Sequence, residues 1–173
     1  MVHPRFDSPS LFASLLDSER GGHCLLAADV PDGEDMTVRQ LYLSDAAILI
    51  TRFMEPGGVG EVADFMVPVP IDSSAPADGH TLVRVARVVR DSVPFALACR
   101  PRFDYGRATH TLSATDDHSV LFHGPGRDLH LQSTTGVTLR PDGDDITAHF
   151  TLSAAAVEVS VSPASPVFFS AVL

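Results

Sequence analysis

Residues 145–153 read Asp-Ile-Thr-Ala-His-Phe-Thr-Leu-Ser, and their alternation sets the class of the whole chain. Ile146, Ala148, Phe150 and Leu152 share one parity; Thr147, His149 and Thr151 share the other. Side chains of an extended chain alternate between faces, so this segment is a strand with one buried and one wet face. Immediately upstream, Pro141-Asp142-Gly143-Asp144 is a turn: proline presets φ, aspartate bonds nearby backbone, and glycine supplies positive φ. It is expected to join a strand over 136–140 to the strand over 145–153 as a hairpin. The same period of two recurs in Val157, Val159 and Val161, in Leu129 and Leu131, and in Phe95, Leu97 and Cys99.

Other runs are apolar at both parities. Leu82–Val89, Ala46–Phe53 and Val59–Val67 read as strands covered on both faces. The 12 Gly and 13 Pro are scattered and punctuate short apolar runs, the pattern of an all-β sandwich or barrel. The segment Glu55-Pro56-Gly57-Gly58 is a hairpin turn, and 72–79 is a polar loop. One helix is expected over 8–16: Ser8 caps it, Pro9 takes the first helical position, Leu11, Phe12, Leu15 and Leu16 share a face, and Gly21-Gly22 ends it. The expected fold is therefore all-β, an antiparallel two-sheet sandwich with one short N-terminal helix, as a single domain over residues 1–173.

Composition narrows the function. The chain has 173 residues, 45% of them hydrophobic and 20% charged, which is globular rather than disordered. Asp and Glu number 22 against 12 Arg and no Lys, a net charge of −10 that disfavours nucleic-acid and anionic-membrane partners. No apolar run approaches the ~20 residues of a membrane helix, and the first residues carry no export signal. The expected compartment is the cytoplasm. Cys24 and Cys99 are 75 residues apart and make no disulfide framework. They read as two buried thiols, with a single bridge as the alternative.

Catalytic signatures are sparse. The eight His show no metal-ligand spacing with Cys or carboxylates, and no Gly-x-Ser-x-Gly elbow or phosphate-binding loop occurs. No cofactor is expected. The acidic pairs Glu34-Asp35, Asp116-Asp117 and Asp144-Asp145 fall in polar turns, where solvation opposes the raised pKa a general acid needs. Asp64, inside an apolar strand, reads as one half of an ion pair with an Arg. A chain without Trp also lacks the usual platform of a sugar-binding module.

One short string occurs twice: Pro4-Arg5-Phe6-Asp7 and Pro101-Arg102-Phe103-Asp104. Two readings stand. Each copy is a chain corner, with Pro ending a ladder and Phe anchored in the core, or its Arg and Asp present a surface to a partner. On the second reading the contact candidates are Arg5, Asp7, Arg102, Asp104, Tyr105 and Arg107.

Longer strings carry a family resemblance. Residues 4–17 (PRFDSPSLFASLLD), 62–68 (VADFMVP), 82–95 (LVRVARVVRDSVPF), 100–107 (RPRFDYGR), 121–131 (LFHGPGRDLHL) and 146–152 (ITAHFTL) resemble, in order, the start of bacterial glycoside hydrolase family 15 proteins, which are glucoamylase-like and trehalase-like. The resemblance implies the N-terminal, trehalase-like β-sandwich domain. In that family both catalytic Glu residues lie on a following helical toroid, so the resemblance gives this chain no catalytic residue. It implies a domain shortened at its front and lacking the toroid, whose partner is a helical family 15 catalytic domain in cis or trans. The activity served would be α-glucoside hydrolysis. The alternatives are a relative that self-associates as a homodimer through an exposed sheet edge or face, and a module that binds an α-glucoside itself. The segment 8–16 and the corner 101–107 are the expected interface.

Overall fold

The computed structural model describes residues 8–31, 35–67, 81–134, 136–153 and 156–163. Eleven strands and one helical turn follow in order: β1 (His23–Ala28), β2 (Thr37–Tyr42), β3 (Leu49–Glu55), β4 (Gly58–Met66), β5 (Leu82–Arg100), α1 (Phe103–Gly106), β6 (Thr111–Asp116), β7 (Ser119–Gly124), β8 (Arg127–Ser133), β9 (Arg140–Asp142), β10 (Asp145–Ser153) and β11 (Ala156–Pro163). The pairings β1–β5, β2–β3, β3–β4, β4–β5, β5–β10, β5–β11, β11–β8, β8–β7, β7–β6 and β9–β10 are all antiparallel.

The organising element is β5. The apolar runs 82–89 and 95–99 are one strand of 19 residues. Its first half lies between β4 and β11, and its second half between β1 and β10. At the changeover Val59 pairs with Arg90 but Gly60 with Val88, so Val89 is an extra residue, and Asp91 takes φ 59°. Such a bulge bends a strand and increases its twist. Pro94 is tolerated just beyond because its missing N–H faces the position where β1 has ended.

All these strands belong to one continuous sheet around a single core. Phe95, fully buried on the second half of β5, meets Phe53 of β3 edge-on, with ring centroids 6.5 Å apart and planes at 88°. It stacks on Phe150 of β10 at 5.8 Å. Gly60 is required beneath it, since a Cβ there would stand 2.7 Å from the Phe95 ring. The alternation in β10 is as read: Ile146, Ala148 and Leu152 are buried, while His149 and Thr151 are exposed. Val157, Val159 and Val161 are buried likewise.

Two expectations change. The segment 8–16 is not helical; residues 8–22 form a series of turns, and the short helical turn lies instead at Phe103–Gly106. Leu11 is buried, yet Leu15 and Leu16 are 97% and 77% exposed. The backbone of this segment is engaged elsewhere. Leu11 O accepts from Arg102 N, Ser10 O from Tyr105 N, and Gly21 O from Ala13 N. The Asp17 carboxylate accepts from the backbone N–H of Glu19 and Arg20. Side-chain bonds of this kind compete with a short helix whose nucleation is already costly. In the expected 136–140 strand, only Arg140–Asp142 forms a ladder. Val137 and Leu139 are buried without one, and their backbones bond Ser133 Oγ and Asp117 O instead.

Candidate docking corner

Where β5 ends, Pro101 stops the ladder and the chain turns sharply. Arg102 folds inward rather than out to solvent. Its guanidinium grips Asp145 with two hydrogen bonds, 2.6 and 2.9 Å, and also donates to Pro101 O. Asp145, expected to be a solvated turn residue, is thus a buried carboxylate held by Arg102. Phe103 is buried against Gly124, where an added Cβ would lie 2.2 Å from two ring carbons. His110 packs between the rings of Phe103 and Phe122, and its Nε2 lies 2.7 Å from Asp144 O.

The next two residues are unusual. Asp104 (φ 51°, ψ 50°) and Tyr105 (φ 57°, ψ 33°) both adopt the left-handed conformation, followed by Gly106 at φ 79°. Each non-glycine residue held there costs roughly 1–2 kcal/mol. The surroundings hold them in place: Tyr105 N donates to Ser10 O, and Arg107 N donates to Asp104 O. Arg107 Nη2 donates to Asp104 Oδ1 at 2.6 Å, and the guanidinium carbon lies 5.8 Å from the Tyr105 ring centroid. Asp104, half-buried, and the exposed Tyr105 and Arg107 form one cluster. The exposed Leu15 and Leu16 belong to the loop that supports it. Arg5 and Asp7 lie outside the described residues.

A cleft lined by Pro9, Leu11, Phe103, Asp104, Pro125 and Arg127 opens beside this cluster. It holds about 40 Å³, far less than the ~300–1,000 Å³ of sites that enclose a small molecule. Arg127 Nη1, at its wall, is buried without a hydrogen-bond partner. The sequence reading did not single out Arg127; its signal was the preceding turn Gly124-Pro125-Gly126, which fixes where the arginine emerges.

The buried carboxylates are poor general acids. Asp64 is paired across strands with Arg84, at 2.7 and 3.1 Å, as expected of an acid in an apolar strand. Glu61 is 1% exposed between Arg52 and Arg87. Burial raises its pKa, but the two guanidiniums outweigh that and hold the carboxyl below the usual range. Its contribution to stability is therefore present above the unfolded pKa near 4.5 and is lost as pH falls through the lower folded value. Glu61→Gln is expected to cost about 1–3 kcal/mol at neutral pH. It should also flatten the fall of the urea midpoint below pH 4.5; an unchanged acid limb would refute this role.

Fold and geometry define an all-β chain whose buried acids are neutralised by arginines and in which two of the four non-glycine residues at positive φ, Asp104 and Tyr105, stand side by side at one corner. The chain belongs to the trehalase-like, N-terminal family, whose model matches residues 1–169. It is 35% identical over 134 residues to a trehalase of Mycolicibacterium smegmatis, covering 70% of this chain and 19% of that protein. Trehalase 1 of Sulfolobus acidocaldarius is 32% identical over 125 residues, covering 72% and 19%. A trehalase of Thermoplasma acidophilum is 31% identical over 146 residues, covering 84% and 24%. The chain thus spans about a fifth of the length of these relatives, which are archaeal as well as bacterial. No helix among the described residues is long and apolar enough to cross a membrane.

Proposed function

We propose that this chain serves as one non-catalytic β domain of a trehalase-like enzyme of the glycoside hydrolase family 15 kind, docking a helical catalytic domain in cis or in trans. The family match over residues 1–169, against trehalases about four times the length of this chain, carries the reading. The bacterial resemblance and a glucoamylase-like or trehalase-like substrate, an α-glucoside, belong to the same proposal. Reduced Cys24 and Cys99 suit a reducing compartment, the cytoplasm.

The docking surface we assign is the corner formed by Asp104, Tyr105 and Arg107 with Leu15, Leu16 and Arg127. Strained backbone held by its surroundings is a common mark of a working surface, and Tyr and Arg are the residues that most often dominate interfaces. Arg102, bound to Asp145, supports the corner from inside.

The test is co-expression with a family 15 helical domain from the same genome and assay of glucose release from trehalose and maltooligosaccharides. The chain alone should be inert, and activity should appear or rise with the partner. Glucose release by the chain alone would overturn the reading. Tyr105→Ala with Arg107→Ala should weaken the complex tenfold or more, while the melting temperature stays within a few degrees of wild type; unchanged affinity would reject this surface.

A second reading has its own observation. All six residues of β2 are exposed, including Val38, Leu41 and Tyr42, and the strand lies at the end of the sheet order. Among the described residues no strand pairs with its outer side, and such an apolar edge supports pairing with a second copy. Light scattering decides it: a dimer that Val38→Lys disperses supports self-association, and a monomer at high concentration removes it.

A further inference from the structure

Cys24 and Cys99 stand directly opposite each other on β1 and β5. Asp29 N donates to Pro94 O at 2.9 Å, which makes 29/94 a hydrogen-bonded position of this ladder. Such positions alternate, so 27/96, 25/98 and 23/100 are bonded, and 28/95, 26/97 and 24/99 are the close, non-bonded pairs. Opposed residues at a close position have Cα atoms roughly 4.5 Å apart with side chains on one face. That lies within the span of about 4.4–6.8 Å that a disulfide bridges. Both cysteines are free, and both pack into or against the core. The pair also sits at the root of the corner described above, two residues after Gly22 and two before Pro101.

We infer that Cys24 and Cys99 form a reversible dithiol–disulfide site that, on reaction with a low-molecular-weight disulfide, staples edge strand β1 to β5. The Cys24 thiolate attacks one sulfur of the oxidant RSSR, forming a Cys24–S–S–R bond and expelling RS⁻. The Cys99 thiolate then attacks Cys24 Sγ, forming the Cys24–Cys99 bond and expelling the second RS⁻. Two electrons pass from the cysteines to the oxidant, and the two thiol protons end on two RSH molecules.

The division of roles follows the surroundings. Cys24 lies on β1, which pairs only with β5 among the described residues, and Arg84 Nη1 donates to its backbone oxygen at 2.6 Å, placing a guanidinium beside it. Hydrogen bonding from Cys99 and the charge of Arg84 lower the Cys24 pKa against the opposing effect of burial. The same thiol–thiol bond, and burial, push Cys99 up, which suits the residue that acts second.

The experiment incubates the purified chain with oxidised glutathione, quenches with a maleimide under denaturing conditions, and maps the peptides. A single 24–99 bridge that dithiothreitol reverses is expected, with a melting temperature about 5–15 °C higher in the oxidised form. Cys99→Ala should stop the reaction at a glutathione adduct on Cys24, and Cys24→Ala should leave Cys99 unmodified. Maleimide on both thiols, a bridge between two molecules, or a bridge without a rise in melting temperature would overturn the staple. Modification of Cys99 in the Cys24→Ala variant at the wild-type rate would overturn the assigned order.

Discussion

Replacing Arg84 with methionine is expected to remove about 3–5 kcal/mol of stability, the usual result of leaving one charge of a buried pair alone. Arg84 is 12% exposed and Asp64 19%, and the two face each other across β4 and β5 with a doubled hydrogen bond. Burial alone would lower the Arg84 pKa; the bonds and charge of Asp64 outweigh that and raise it. Arg84 also reaches from the first half of β5 to the carbonyl of Cys24 on β1, tying that strand to it. The single variant therefore strands a carboxylate and a carbonyl at once. Arg84→Met combined with Asp64→Leu should recover much of the loss, because an apolar pair of similar volume carries no desolvation cost. Urea midpoints at constant m-value measure both. A single variant within 1 kcal/mol of wild type would show that water reaches the pair.

Phe103→Ala should cost a similar amount, about 3–5 kcal/mol, for a fully buried ring. The more informative variant is Gly124→Ala. Its Cβ would fall 2.2 Å from two carbons of the Phe103 ring, so a single methyl should cost about 1–3 kcal/mol through overpacking. On the Phe103→Ala background the same methyl meets no ring, and its cost should fall close to zero. The double-mutant cycle thus has a large coupling energy with a stated sign. Strict additivity would mean that the ring does not occupy that place. Because Phe103 immediately precedes the left-handed pair Asp104 and Tyr105, its loss should also weaken the docking proposed for this corner.

The strand at 145–153, the valines at 157, 159 and 161, and the tight turn at 56–57 were all readable, because face alternation and turn chemistry are local. So was the Arg partner of Asp64, since an acid in an apolar strand needs a countercharge, although the chain did not say which arginine. The segment 8–16 misled because its apolar spacing fits a helix, while its carbonyls bond the 102–105 backbone. The corner 101–107 was legible as a corner with a buried Phe. Its inward Arg102 was not, since the acceptor is Asp145, 43 residues away.

Period-two patterning and Gly/Pro punctuation in the chain were therefore enough for its class, all-β and antiparallel, and for most strand faces. They depend on neighbours a few residues apart. The continuity of β5 over 19 residues, the Arg84 bridge to Cys24 at a separation of 60 residues, and the register opposing Cys24 to Cys99 came from the folded molecule. Those features depend on which distant segments are brought into register, and burial and hydrogen-bond satisfaction across the whole core settle that jointly.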